Sequence, residues 1–156
     1  PLLFLLLPAL AGCGSAPPEI ARAHAFEGTA LDAMRTNHDL MVAGLLRDLE
    51  DAWRYQDYLL REAETRAAAT GDSITLAKLA EVQKATTARQ GEIRAKIATI
   101  RGDDEHFQGN AEIATQIHAA IARFFERGAK ESADVIALTG EVADLAGKMR
   151  KPEVKP

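Results

Sequence analysis

The chain has 156 residues, of which 47% are hydrophobic, 5% aromatic and 27% charged, and its formal net charge is −4. This length allows one ordinary domain, and the interspersed charges exclude the basic face expected of a nucleic-acid-binding protein. The single cysteine excludes an internal disulfide and the Cys-x-x-Cys-His site of a c-type haem. A core rich in alanine and poor in aromatic residues favours close helix packing over a sandwich or a barrel.

The first 12 residues form an apolar run that ends at Cys13. The run is shorter than the ~20 apolar residues needed to span a bilayer, but it has the length of the hydrophobic region of a signal peptide. It contains no initiator Met and no basic segment. We therefore expect residues 1–12 to be a signal peptide that is truncated at its start.

The end of this run, Leu10-Ala11-Gly12-Cys13, resembles the lipobox of bacterial lipoprotein precursors, in which an aliphatic and two small residues precede a cysteine. The resemblance implies cleavage before Cys13 and lipidation of its thiol with acyl chains such as palmitate. Two or more such chains anchor a protein stably, because each buried CH₂ contributes ~0.8 kcal/mol. In a bacterium with two membranes, Gly14 in place of aspartate implies an outer-membrane location facing the periplasm.

The chain from residue 19 to residue 150 contains no proline and is rich in Ala, Leu, Glu, Arg and Lys. This composition predicts helix throughout. Residues 13–18 are predicted to be the lipidated cysteine and a short tether, and residues 151–156 a disordered tail. We therefore expect one helical bundle domain, residues 19–150.

Two Gly-Asp sequences divide this domain. Gly71-Asp72-Ser73 and Gly102-Asp103-Asp104 each place a helix-terminating glycine before a side chain that can cap the next helix. They predict helices at about 19–70, 73–101 and 104–150. A break near Gly128 would make four helices, and we favour it because an unbroken last helix of ~70 Å would overhang its neighbour.

Apolar residues recur in steps of three and four, which predicts coiled-coil-like packing in an antiparallel, all-α bundle of three or four helices. Gln83, Thr86 and Gln90 interrupt the apolar stripe of the second helix and are predicted to set the register. The predicted stripe of the first helix consists of Leu31, Met34, His38, Met41, Leu45, Leu49, Ala52, Gln56, Leu59 and Ala63.

Met34, His38 and Met41 fall at i, i+4 and i+7 of the first helix and would share one face. Thioether and imidazole groups are soft ligands that suit Cu(I) or Ag(I). The same positions belong to the predicted apolar stripe, and methionine is a common core residue. Core packing is therefore the preferred interpretation, and a copper or silver site is the alternative.

Gly71-Asp72-Ser73-Ile74, together with Asp103 and His106, resembles the nucleophile and Asp/His blocks of SGNH hydrolases. That family has a larger α/β fold, whereas here both motifs fall at predicted helix ends. We therefore interpret these residues as helix caps and predict no enzymatic activity and no catalytic residues.

These features predict a lipid-anchored envelope protein whose helical domain has an interaction or structural role. Its expected partners are the membrane, through the lipid on Cys13, and a periplasmic protein or a second copy of the chain. A periplasmic ligand or soft-metal binder is the alternative. Trp53, Tyr55 and Tyr58 are predicted to pack at the rim of the bundle.

Overall fold

The computed structural model describes residues 18–127 and 131–149. They form helices α1 (Pro18–Thr70), α2 (Ser73–Arg127) and α3 (Ser132–Lys148). Nearly all of the described residues are helical and none of them lies in a strand. The predicted all-α class with three or four helices is therefore confirmed.

Several predictions concern parts of the chain that lie outside the described residues. These are the signal peptide at 1–12, the lipidated Cys13, the tether that follows it and the tail at 151–156. Pro18, predicted as the last tether residue, is the first residue of α1. Proline suits that position because the first helical N–H has no partner within the helix.

The turn between α1 and α2 has the structure that Gly71-Asp72-Ser73 predicts. Gly71 has φ +66°, which favours glycine, and its N–H donates to the carbonyl of Ala67 at 2.9 Å. The N–H of Thr75 donates to the Asp72 carboxylate at 2.7 Å, so Asp72 caps α2. The helix end at Thr70 and the cap at Asp72 are thus confirmed.

The predicted helix end at Gly102-Asp103-Asp104 is wrong, because α2 continues through these residues to Arg127. A glycine inside a helix costs only about 1 kcal/mol relative to alanine. Contacts with α1 oppose this cost: Ile100 and Asp104 are half-buried, and the Asp104 carboxylate lies 3.1 Å from the His38 imidazole. Packing against a neighbouring helix therefore overrides the local stop signal.

Around Gly128, which lies outside the described residues, the chain divides into separate helices as predicted. The chain ends α2 at Arg127 and starts α3 at Ser132, after the extended residue Glu131. The Glu131 N–H donates to the Asp134 carboxylate at 3.3 Å, so a side chain in the first turn of α3 caps the start of this helix.

The described chain falls into two compact units. Unit 2, residues 38–105, is a helical hairpin made of the second part of α1 and the first part of α2. Its helices run antiparallel, since Asp104 contacts α1 at residue 38 and Arg94 contacts it at Trp53. Its buried residues are Val42, Ala67, Thr86 and Ile93.

Unit 1 combines the described residues 18–37 of α1 with the second part of α2, from His106, and with α3. The α2 and α3 segments are antiparallel, since Arg127 shares a groove with Asp134 and Gln116 shares one with Lys148. An ion pair between Arg123 and Glu141 at 2.8 Å joins them. The buried hydrophobic residues of this unit are Ala111, Ala120 and Leu138.

The buried face of α1 differs from the predicted stripe at four of the ten predicted positions. Met34, Met41 and Leu45 are 46%, 55% and 44% exposed, so their prediction as core residues is wrong. Val42 is buried and Leu46 is half-buried, each one position further along the chain. Ala52 is also exposed, and the predicted and observed stripes share Leu31, His38, Leu49, Gln56, Leu59 and Ala63.

The three polar residues predicted to lie within the apolar stripe of α2 differ in their exposure to solvent. Thr86 is buried at 2% exposure and Gln90 is half-buried, whereas Gln83 is exposed. Thr86 and Gln90 therefore belong to the packed face of unit 2, where a polar residue can set the register.

Candidate functional site

The proposed soft-metal ligands lie in different surroundings. The side chains of Met34 and Met41 are exposed, whereas His38 is half-buried and points toward α2. Its Nε2 lies 3.1 Å from Oδ1 of Asp104. Among the described residues, no three or more His, Cys, Asp or Glu side chains are grouped to hold a metal ion. The copper or silver site remains a prediction from residue type and spacing.

His38 and Asp104 form a polar bridge between the two helices of unit 2. Their side chains are 16% and 32% exposed, so the bridge is partly withdrawn from solvent. Nε2 can donate to the carboxylate, and the charge of the acceptor strengthens this bond. Asp104 thus gives His38 a structural role in joining α1 to α2.

A second polar bridge, in unit 1, consists of His24 on α1 and His118 on α2. The two imidazole rings stack with centroids 3.7 Å apart and planes 15° from parallel. Nε2 of His24 lies 3.1 Å from the carbonyl oxygen of His118, and Nε2 of His118 lies 2.8 Å from the carbonyl oxygen of His24. Each ring therefore donates to the main chain of the other helix.

Gly28 makes this arrangement possible. A Cβ at position 28 would lie 2.9 Å from Cε1 and 3.1 Å from Nε2 of His118. Contacts this short would force neighbouring atoms to move, so the ring of His118 occupies space that an alanine at position 28 would need. The absence of a side chain brings the α1 main chain within reach of the His118 ring.

The surroundings of His24 favour its neutral form. Burial lowers the pKa of His24 below its ordinary value of 6.5, and the neighbouring His118 lowers it further. Glu27 opposes both effects, with Oε2 3.7 Å from Nδ1 of His24. Since Glu27 is 58% exposed, solvent screens its charge. The ring of Phe125 lies 5.7 Å from the His24 ring, measured between centroids, and adds an apolar contact.

The stacked geometry does not suit a shared metal ion. The lone pairs of an imidazole lie in the plane of its ring, and the planes of His24 and His118 are nearly parallel and separated. One ion therefore cannot lie in both planes at bonding distance. The pair is a hydrogen-bonded contact between helices, and its imidazole rings can bind protons.

Sequence analysis does not identify this pair. His24 and His118 are 94 residues apart, and neither belongs to a ligand or catalytic motif. Spacing along one helix gives no signal for a contact with a residue on another helix, so the pair is found only in the tertiary structure.

The Trp53 side chain belongs to the contact between the helices of unit 2. The guanidinium of Arg94 lies 4.6 Å from the centroid of its ring, which is a cation–π contact. Both residues, with Glu50, Arg54 and Ile97, line a shallow groove of about 330 Å³. Trp53 is half-buried, whereas Tyr55 and Tyr58 are each 59% exposed. The tyrosines therefore lie outside the packed face of the hairpin.

The residues that resemble hydrolase blocks occupy structural positions. Asp72 accepts from the N–H and the hydroxyl of Thr75 at 2.7 and 2.9 Å. Its interpretation as a helix cap is confirmed. The interpretation of Asp103 as a cap is wrong, because Asp103 and His106 lie inside α2.

A scan against protein-family models, a search of curated proteins and a search of solved structures each find no match to this chain. None of the helices in the described ranges is apolar enough over a sufficient length to cross a membrane.

Proposed function

We propose that this chain is a lipid-anchored protein of the bacterial envelope, whose helical domain has an interaction or structural role and is not an enzyme. The anchor is the lipid on Cys13, which the Leu10-Ala11-Gly12-Cys13 motif supports. Gly14 favours the outer membrane, with the helical domain in the periplasm. The helices position side chains for contact with a partner.

The observation that supports an interaction role is that few of the described hydrophobic residues are buried while many large ones are exposed. In the described part of the chain, six hydrophobic residues are buried, four of them alanine or valine. Ten large hydrophobic side chains are at least 44% exposed. Singly exposed hydrophobic residues are ordinary, but this balance favours a partner that covers part of the surface.

Unit 2 is the better candidate for the partner-binding part. It contains most of the exposed large hydrophobic residues, and its hairpin has one helix–helix interface in which to bury them. They are Leu40, Met41, Leu45, Tyr55, Tyr58, Ile74 and Leu76.

Metabolic labelling tests the anchor. A bacterium with two membranes expresses the chain with an initiator Met and a basic segment added before Pro1. It is grown with a clickable palmitate analogue, and its inner and outer membranes are separated. We expect label on the wild-type chain in the outer membrane and none on Cys13→Ala. Equal labelling of both forms, or unlabelled wild type in the soluble fraction, would contradict the anchor.

Site-specific photo-crosslinking tests the interaction role. A photoreactive amino acid replaces Met41 or Tyr55, and the control carries it at the exposed polar residue Lys84 of the same unit. We expect a discrete adduct, with a second copy or with one envelope protein, from the first two positions and not from the control. A monomer that gives the same diffuse adducts from all three positions would overturn this role while leaving the anchor intact.

A further inference from the structure

We propose that His24 and His118 form a proton-sensitive clamp, which holds α1 against α2 in unit 1 while both rings are neutral and weakens when both are protonated. The proposal concerns the helical domain itself and does not depend on lipidation or on a partner. It rests on the stacked, reciprocally hydrogen-bonded geometry of the pair.

The neutral pair is well matched to its surroundings. Each Nε2–H reaches a carbonyl of the opposite helix, at 3.1 Å for His24 and 2.8 Å for His118. The rings are in contact over their faces, and Phe125 covers an edge of the site. The side chain of His24 is 11% exposed, so its bonds are shielded from water.

Protonation of both rings places two positive charges 3.7 Å apart. The Nε2–H donors remain, but the charges repel at a distance much shorter than the screening length of physiological salt. The contact between α1 and α2 therefore weakens through charge repulsion, while both Nε2–H donors are retained.

The groups facing the pair leave this repulsion largely uncompensated. On α1, Glu27 lies 3.7 Å from Nδ1 of His24 but is mostly in solvent. On α2, His118 is the titratable group that acts on His24. None of the groups that shift the pKa of His24 lies on the described part of α3.

The lowered pKa of His24 gives the direction of the pH effect. In the unfolded chain the ring binds a proton below its ordinary value of 6.5, whereas in the folded chain it stays neutral to a lower pH. The stabilisation is therefore fully present above about 6.5 and is lost as the pH falls through the folded value.

Amide hydrogen exchange of the full chain tests the clamp, with protection factors corrected for the intrinsic pH dependence of exchange. Between about pH 7.5 and about pH 5 we expect protection of residues 18–37 to fall about tenfold, which corresponds to about 1.4 kcal/mol. Residues 45–65 of unit 2 serve as the internal reference. His118→Gln should reduce the difference, because the repulsion between the two rings is lost while the burial of His24 remains.

His106→Gln is the matched control, since His106 is a half-buried histidine of the same unit. It should retain the wild-type pH dependence. Unchanged protection of residues 18–37 in the wild type, or an equal fall in His118→Gln, would overturn the proposal.

An NMR titration of the wild-type histidine rings covers the case in which His118→Gln does not fold. We expect the His24 ring to titrate below 6.5 and its shifts to respond to protonation of His118. Titration of the His24 ring at or above 6.5, with shifts that do not respond to His118, would overturn the clamp.

Discussion

The imidazole of His118 on α2 occupies the space that a side chain at Gly28 of α1 would need, with Cε1 2.9 Å from the Cβ position. Gly28→Ala should gain about 1 kcal/mol in helix propensity. It should also displace the His118 ring, which is held by one bond to the main chain and by stacking on His24. We expect a net loss in the free energy of unfolding of about 1 kcal/mol, measured by urea denaturation.

Gly140→Ala is the control for this prediction. Gly140 lies inside α3, and a Cβ there meets nothing within 4 Å. It should stabilise the protein by roughly 0.5–1 kcal/mol. If Gly28→Ala stabilises the protein as much as Gly140→Ala does, the His118 ring does not restrict position 28.

The cation–π contact between Arg94 and Trp53 predicts a measurable coupling in unit 2. In a double-mutant cycle of Arg94→Met and Trp53→Phe, we expect a coupling free energy of about 0.5–1 kcal/mol. Arg94→Met should also shift the emission of Trp53. Arg89→Met is the control, because Arg89 pairs with Glu92 of its own helix at 2.6 Å. Zero coupling for the Arg94 cycle would contradict the contact.

Leu138 predicts how α3 is held in unit 1. It is buried at 7% exposure and shares a groove with Ala120 and Phe124 of α2. Leu138→Ala should cost about 2–3 kcal/mol in the free energy of unfolding. Ile136→Ala, on the same helix and at 71% exposure, should have little effect. Similar urea midpoints for the two variants would mean that α3 does not bury Leu138.

The cap at Asp72 predicts a pH dependence at the acid end. The N–H and hydroxyl of Thr75 donate to its carboxylate and hold the pKa of Asp72 below the ordinary value of 3.8. The charged cap therefore stabilises the protein above 3.8 and loses this effect as the pH falls through the lower, folded value.

Comparison with Asp72→Asn isolates this charge effect, because asparagine also caps helices. We expect the wild type to have the higher urea midpoint at neutral pH and the difference to disappear in acid. A constant difference at all pH values would show that the Asp72 charge is not involved.

The sequence by itself determined the features that depend on local chemistry. The proline-free, alanine-rich composition predicted the all-α class, and Gly71 with Asp72 predicted the turn because a positive φ and a cap are properties of single residues. The division around Gly128 was predicted from helix length, because an unbroken last helix would overhang its neighbour.

The tertiary structure decided what depends on the position of a neighbouring helix. On α1, Met41 and Val42 both continue a three-and-four spacing, and packing against α2 buries Val42. At Gly102 the helix continues because its flanking residues have partners on α1. The contact of His24 with His118 joins residues far apart in the chain, where spacing along a single helix carries no information.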